Sequence, residues 1–315
     1  MKRLRKLTKL FTKDEPLKNG NGLFATLEEL IEQRQYVSHI GHLKPQKTTS
    51  QQAGDVKSAF KGRGMELEEI RSYAYGDDVR DIDWRVTARK EQPYTKLYAE
   101  ERDREVYVLL DLSAHMVFGT RNELKSVSAA KIAALLGWMS LVNKDRFGCM
   151  VFDGQRYWLF KPQNSQANMM VILKKIASVS RDVLHKGADG MNLARAVELL
   201  QQNIKRQAIV FVVSDFNEFG DDLKKSLAAL ARKSRVFCVN VFDVLEEKAP
   251  KAGEYMAENG GERLIFDTKS KYFQKEYRDY FKVKREGVGR FCREFRAVYM
   301  EVRTDMPLYR QLKIR

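Results

Sequence analysis

Asp111, Ser113 and His115 stand at alternate positions in EVYVLLDLSAHMVFG (residues 105–119), where an apolar run gives way to polar residues. A second carboxylate, Asp215, closes the equally apolar run AIVFVVSD (residues 208–215). Carboxylate and hydroxyl oxygens are hard ligands, suited to Mg2+ or Mn2+. Two readings follow. Asp111, Ser113 and Asp215 begin a divalent-cation site, or the two aspartates serve as turn and helix caps with His115 hydrogen-bonded to one of them. Other chemistries lack their residues. GADGMN has neither the lysine nor the spacing of a phosphate loop, no GxGxxG follows a strand, and there is no GxSxG. The histidines (His39, His42, His115, His185) form no ligand spacing, and His39 and His42 read as polar residues of a helix end. Cys149, Cys238 and Cys292 form no CxxC pair, so neither zinc nor a disulfide framework is indicated, and a reducing cytosol is expected.

The elements that must carry these side chains can be read from periodicity. LEELIEQRQYVSHIGHL (27–43) reads as a helix, and 44–55 as a polar loop. VYVLLDLS, RFGCMVFDG, QAIVFVVSDF, RVFCVNVFDV, RLIFDT and VYMEVRT read as strands. Between them, 122–145, a segment opened by Ser165, NLARAVELLQQNI and DDLKKSLAALARKS read as helices, and 270–297 as a helix broken at EGVG. Strands alternating with helices predict a doubly wound, mainly parallel sheet covered on both faces. In such a sheet the functional edge is the C-terminal end of the strands, at the topological switch point. Asp111 and Asp215 are therefore expected at adjacent strand ends on one edge. Cys149 and Cys238 are expected to be buried.

The chain has 315 residues, 43% hydrophobic and 31% charged, with a formal net charge of +15. No apolar run of about 18 residues stands out as a membrane span. Residues 1–13, MKRLRKLTKLFTK, hold six basic residues and no acid, and could form a basic amphipathic helix on an anionic membrane surface. The net charge favours anionic partners. No motif for specific nucleic-acid binding is present.

The region 105–245 resembles a von Willebrand factor type A domain. The metal-ion-dependent adhesion site of that family uses Asp-x-Ser-x-Ser, a later Thr and a further Asp. Here DLSAH supplies Asp111 and Ser113, with His115 at the second Ser; DGMNLARAVELL places Met191 at the Thr; VVSDF supplies Asp215. The resemblance thus implies a degenerate site, metal-free or weakly occupied by Mg2+ or another divalent cation. Thioether is a poor partner for a hard ion, and imidazole favours transition metals.

Upstream, IRSYAYGDDVRDIDWRVTAR places Asp77, Asp78, Arg80, Asp81 and Asp83 around Trp84, without calcium-loop spacing. An Arg–carboxylate network pinning this segment to a neighbouring surface is expected, with Trp84 largely buried and Arg80 or Arg89 on carboxylates. The stretch resembles the signature of the bacterial DUF58 family, through Arg71, Tyr73, Gly76, Asp77, Asp78, Arg80, Ile82, Asp83, Trp84, Ala88 and Arg89. The expected divisions are 1–55 (basic tail, helix and loop), 56–104 (signature accessory region of short strands and loops), 105–268 (von Willebrand A-like domain) and 269–315 (a closing helix and strand). The resemblance implies a soluble, non-enzymatic interaction module, cytoplasmic or peripheral at the inner membrane surface. It further implies work with a MoxR-type AAA+ ATPase on an unknown client protein. A basic membrane- or nucleic-acid-surface protein, or a metal-dependent hydrolase using Asp111 and Asp215, are the alternatives.

Overall fold

Apolar runs too continuous for a half-solvated sheet end up covered on both faces. A computed structural model describes residues 22–41, 65–100, 104–185, 190–205, 207–250, 253–259 and 262–314. The basic segment 1–13, His42 and the polar loop 44–55 lie outside them. The chain divides into two units, Met1–Lys44 with Arg104–Arg315, and Pro45–Asp103. The elements run α1 (Leu27–Glu32), α2 (Val37–Ile40), β1 (Met65–Ser72), α3 (Trp84–Lys90), β2 (Tyr94–Glu100), β3 (Glu105–Asp111) and α4 (Lys125–Val142). They continue β4 (Arg146–Phe152), β5 (Tyr157–Gln163), α5 (Gln166–Asp182), α6 (Leu193–Asn203), β6 (Ile209–Ser214), α7 (Asp221–Lys233) and β7 (Arg235–Phe242). The chain closes with β8 (Glu254–Asn259), β9 (Glu262–Asp267), α8 (Lys271–Glu294), β10 (Val298–Arg303) and α9 (Leu308–Gln311).

The larger unit is an α/β fold on a six-stranded sheet of order β10-β7-β6-β3-β4-β5. Every pair is parallel except β4 with β5. Side chains alternate along β3, sending Val106, Val108 and Leu110 into one core layer and Tyr107 and Leu109 into the other. The first layer is closed by α1, α4 and α5, the second by α6, α7 and α8. Helix α4 is long and apolar enough to cross a bilayer, but 83% of it is buried inside the fold, which makes it the central core helix. Trp138 on α4 donates its indole N–H to the Leu30 carbonyl at 3.0 Å, tying in α1. That short helix is fixed by a capping box between Thr26 and Glu29. Ser165 caps α5 through the Asn168 N–H.

One strand is added and two expectations change. Residues 157–163 form β5, an antiparallel edge strand in which the short apolar run YWLF is followed by Lys161 and Pro162. RLIFDT does not join the main sheet; as β9 it pairs with β8 in a separate hairpin. Helix α8 runs unbroken through EGVG, because Val288 and Gly289 lie on its buried face, Gly289 close under Tyr299 of β10. Packing there outweighs the propensity cost of about 1 kcal/mol per glycine.

The smaller unit is the hairpin β1–β2 with α3 between its strands. Its signature residues build local turns. Arg71 donates to Asp77 at 2.7 Å, the other oxygen of Asp77 accepts the Ala74 N–H, and Gly76 supplies the positive φ of +103° that the turn requires. Asp78 accepts the Arg80 N–H, while Asp83 caps α3 through the Arg85 and Val86 N–H groups and pairs with Lys96 at 3.4 Å. Tyr73 is half-buried and its N–H reaches the Pro93 carbonyl. Two expectations are corrected here. Trp84 is 67% exposed, because the Asp83 cap makes it the first helical residue and turns its ring outward. Arg80 and Arg89 are exposed and meet no carboxylate among the described residues; the ion pairs use Arg71 and Lys96 instead.

Candidate functional site

The order of the sheet creates the site. From β3 the chain first adds β4 and β5 on one side, then crosses back through α5 and α6 to lay β6 on the other. The switch point lies between β3 and β6, where Leu110 pairs with Val213. Asp111 and Asp215 follow at the carboxyl ends of these neighbouring strands, so both carboxylates sit on one edge. Both are buried, as are Ser113 and Ser214.

Each aspartate is held by short bonds. Asp111 Oδ1 accepts the Ser113 N–H at 2.9 Å, and Oδ2 accepts the Ser214 hydroxyl at 2.6 Å. Burial, reinforced by the negative charge of Asp215, pushes the Asp111 carboxyl up to about 6 against these hydrogen bonds. Asp215 Oδ1 accepts the Asn217 N–H at 2.9 Å, across a turn in which Phe216 has φ +49°. A left-handed phenylalanine costs about 1–2 kcal/mol. It is fixed by complete burial of the ring and by the Phe216 N–H donating to Ser214 Oγ at 3.2 Å.

The outer rim is more open. His115 Nδ1 lies 3.3 Å from the Asn217 amide nitrogen, and its Nε2 3.6 Å from Glu218. Lys284 of α8 donates to Asn217 Oδ1 at 3.1 Å. Burial lowers the Lys284 ammonium from its ordinary range, with Asp215 and Glu246 pulling the other way. Met191 is half-buried, and its N–H and that of Gly190 both donate to the Gly154 carbonyl. Together these groups enclose a pocket of about 210 Å3 lined by Asp111, Ser113, His115, Met191, Asp215 and Glu218 among others. The five residues singled out from sequence are thus brought to one place.

Lys125 was missed. It is the first residue of α4, its side chain is 3% exposed, and its Nζ lies 2.6 Å from Asp215 Oδ2 and 3.0 Å from Glu246 Oε1. Burial alone would lower this ammonium, but the charges of Asp215 and Glu246 outweigh that and hold it above its ordinary value. A signal was available in the sequence. A lysine in the first turn of an apolar helix opposes the helix dipole, so it needs a carboxylate partner elsewhere.

The residues present do not fit a magnesium site well. All four carboxylate oxygens of Asp111 and Asp215 already accept a bond from the protein, one of them from an ammonium. Met191 and His115 add a thioether and an imidazole, neither of them a hard ligand. Among the described residues, no three His, Cys, Asp or Glu side chains converge as a metal-binding group.

The fold and this strand-end edge define an α/β domain built on a mainly parallel six-stranded sheet. Residues 69–287 match the family "Protein of unknown function DUF58", and the chain belongs to that family. It is similar to an uncharacterized protein of Mycobacterium tuberculosis, 27% identical over 213 residues, covering 67% of this chain and 66% of the relative. Among solved structures it resembles a conserved hypothetical protein, BatB, from Bacteroides thetaiotaomicron (16% identity, 66% of this chain and 93% of that one, TM-score 0.39). It also resembles the SpRpn10 VWA domain (10% identity, 66% and 93%, TM-score 0.34).

Proposed function

We propose that this chain is a non-enzymatic interaction module that seats a polar group of a partner protein at the β3–β6 edge. One observation carries this reading. Buried polar groups that could do chemistry, Asp111, Ser113, Ser214 and Asp215, are bonded to one another and to the backbone, while the exposed rim of His115, Asn217 and Glu218 faces outward. A hydrolase would need a base aimed at a reacting atom or a second ligand cluster. The pocket is lined by three carboxylates and an imidazole, without a lysine or arginine among its lining residues. It therefore suits a hydrogen-bond donor from the partner, such as an amide, a hydroxyl or an ammonium.

The partner proposed is a MoxR-type AAA+ ATPase, acting in the cytoplasm on a client that the two proteins mature or remodel. The support is membership of the DUF58 family, whose resemblance implies that partner. Glu218 offers a clean test, because its side chain is 62% exposed and its reversal leaves the core intact. Binding of the purified chain to a purified MoxR-type ATPase from the same organism should weaken at least tenfold in Glu218→Lys, with the thermal midpoint unchanged. Equal binding by both forms would remove the edge from the interface. An absence of binding by the natural protein would remove the ATPase.

A further inference from the structure

Asp215 arrives from the end of β6 and Glu246 from the 3-10 turn after β7, and two carboxylates brought around one point call for a cation. The molecule brings its own. The Lys125 ammonium is 2.6 Å from Asp215 and 3.0 Å from Glu246, and the Phe118 ring lies 5.6 Å from it. The lysine sits where a helix N-terminus disfavours positive charge, and Leu124 before it provides no side-chain cap. Neither helix propensity nor surface solvation accounts for a lysine at that place; the two carboxylates do.

We propose that Lys125 is the resident cation of this edge. Its tethered ammonium does the charge-balancing work of a bound divalent ion and excludes such an ion from Asp215. The edge then keeps its geometry and meets partners without metal. This inference rests on the edge being a contact surface, but it can fail separately. A dication placed on Asp215 would face a fixed ammonium already bonded to the same carboxylate. Removing the ammonium leaves buried carboxylates unpaired, which is strongly unfavourable unless another cation enters or a charge is removed.

The test is thermal unfolding of the full chain in EDTA and in millimolar Mn2+, for the natural protein, Lys125→Met, and Lys125→Met combined with Asp215→Asn. The natural protein is expected to melt at the same temperature in both buffers. Lys125→Met should melt several degrees lower in EDTA and recover in Mn2+. The double variant should recover without metal and lose the Mn2+ response. If Lys125→Met does not fold in EDTA, folding of the double variant still supports the inference, and its failure to fold overturns it. A natural protein stabilised by Mn2+, with the effect lost in Asp215→Asn, would overturn it too, while leaving the Glu218→Lys result to judge the contact surface. A Lys125→Met protein as stable as the natural one would show that the ammonium balances nothing.

Discussion

A carboxyl held near 6 inside a protein is a stability cost carried at neutral pH, and at Asp111 the sign can be worked out. Its folded value is raised above the ordinary 3.8, so the folded chain holds this proton more tightly than the unfolded chain. Below about pH 4 both states are protonated and nothing is lost. As pH rises from about 4 to about 6 the unfolded chain ionises first, and stability falls until the folded carboxyl ionises as well. The displacement corresponds to about 3 kcal/mol. Asp111→Asn keeps an acceptor for Ser113 and a partner for Ser214 without the charge. It should flatten this slope and exceed the natural protein by about 1–3 kcal/mol at neutral pH, read by urea unfolding across that interval. A natural protein with no fall in stability between pH 4 and 6 would refute the assignment. Trp84 gives the opposite kind of expectation. Exposed on the first turn of α3, it should cost below about 1 kcal/mol on mutation to alanine, against the 3–5 kcal/mol of a buried aromatic.

At the scale of elements, what could be read from the sequence was what burial writes into it. β3, β6 and β7 are apolar because both faces are covered, and their polar ends mark the functional edge directly. The convergence of Asp111 with Asp215 followed from that pattern, since a parallel sheet leaves few places for its switch point. β5 was not legible, because its apolar run YWLF is only four residues long and is followed by Pro162, a residue that strands accept mainly at an edge. The unbroken α8 was not legible either, since local propensity says nothing of Tyr299 closing over Gly289. Lys125 carried a local signal in its place at a helix N-terminus, but the identity of its two partners, 90 and 121 residues away, was hidden. The β4–β5 pairing offers a test of packing. The register shifts between Phe147 and Cys149, and a Cβ on Gly148 would stand 2.9 Å from both the Phe160 carbonyl oxygen and the Tyr107 ring. Backbone cannot yield as a side chain can, so Gly148→Ala should destabilise by about 1–3 kcal/mol in denaturant unfolding. A neutral result would mean that the edge strand shifts freely.

For the whole molecule, the division into two units sets what depends on what. Among the described residues, none between 45 and 103 belongs to the two hydrophobic clusters of the larger unit. Replacing that segment with a short glycine–serine linker should leave a cooperative thermal transition in the α/β unit, measured by circular dichroism; loss of the transition would show that the signature unit is needed for folding. The account as a whole rests on the β3–β6 edge being closed by an ammonium rather than by a metal ion. Diffraction from crystals grown with manganese, recorded at a wavelength where that ion scatters anomalously, tests this most directly. The expected map has no anomalous peak between Asp111 and Asp215, and places Lys125 Nζ within hydrogen-bonding distance of Asp215 and Glu246. A peak bound by Asp111, Ser113 and Asp215, with Lys125 turned away, would contradict it.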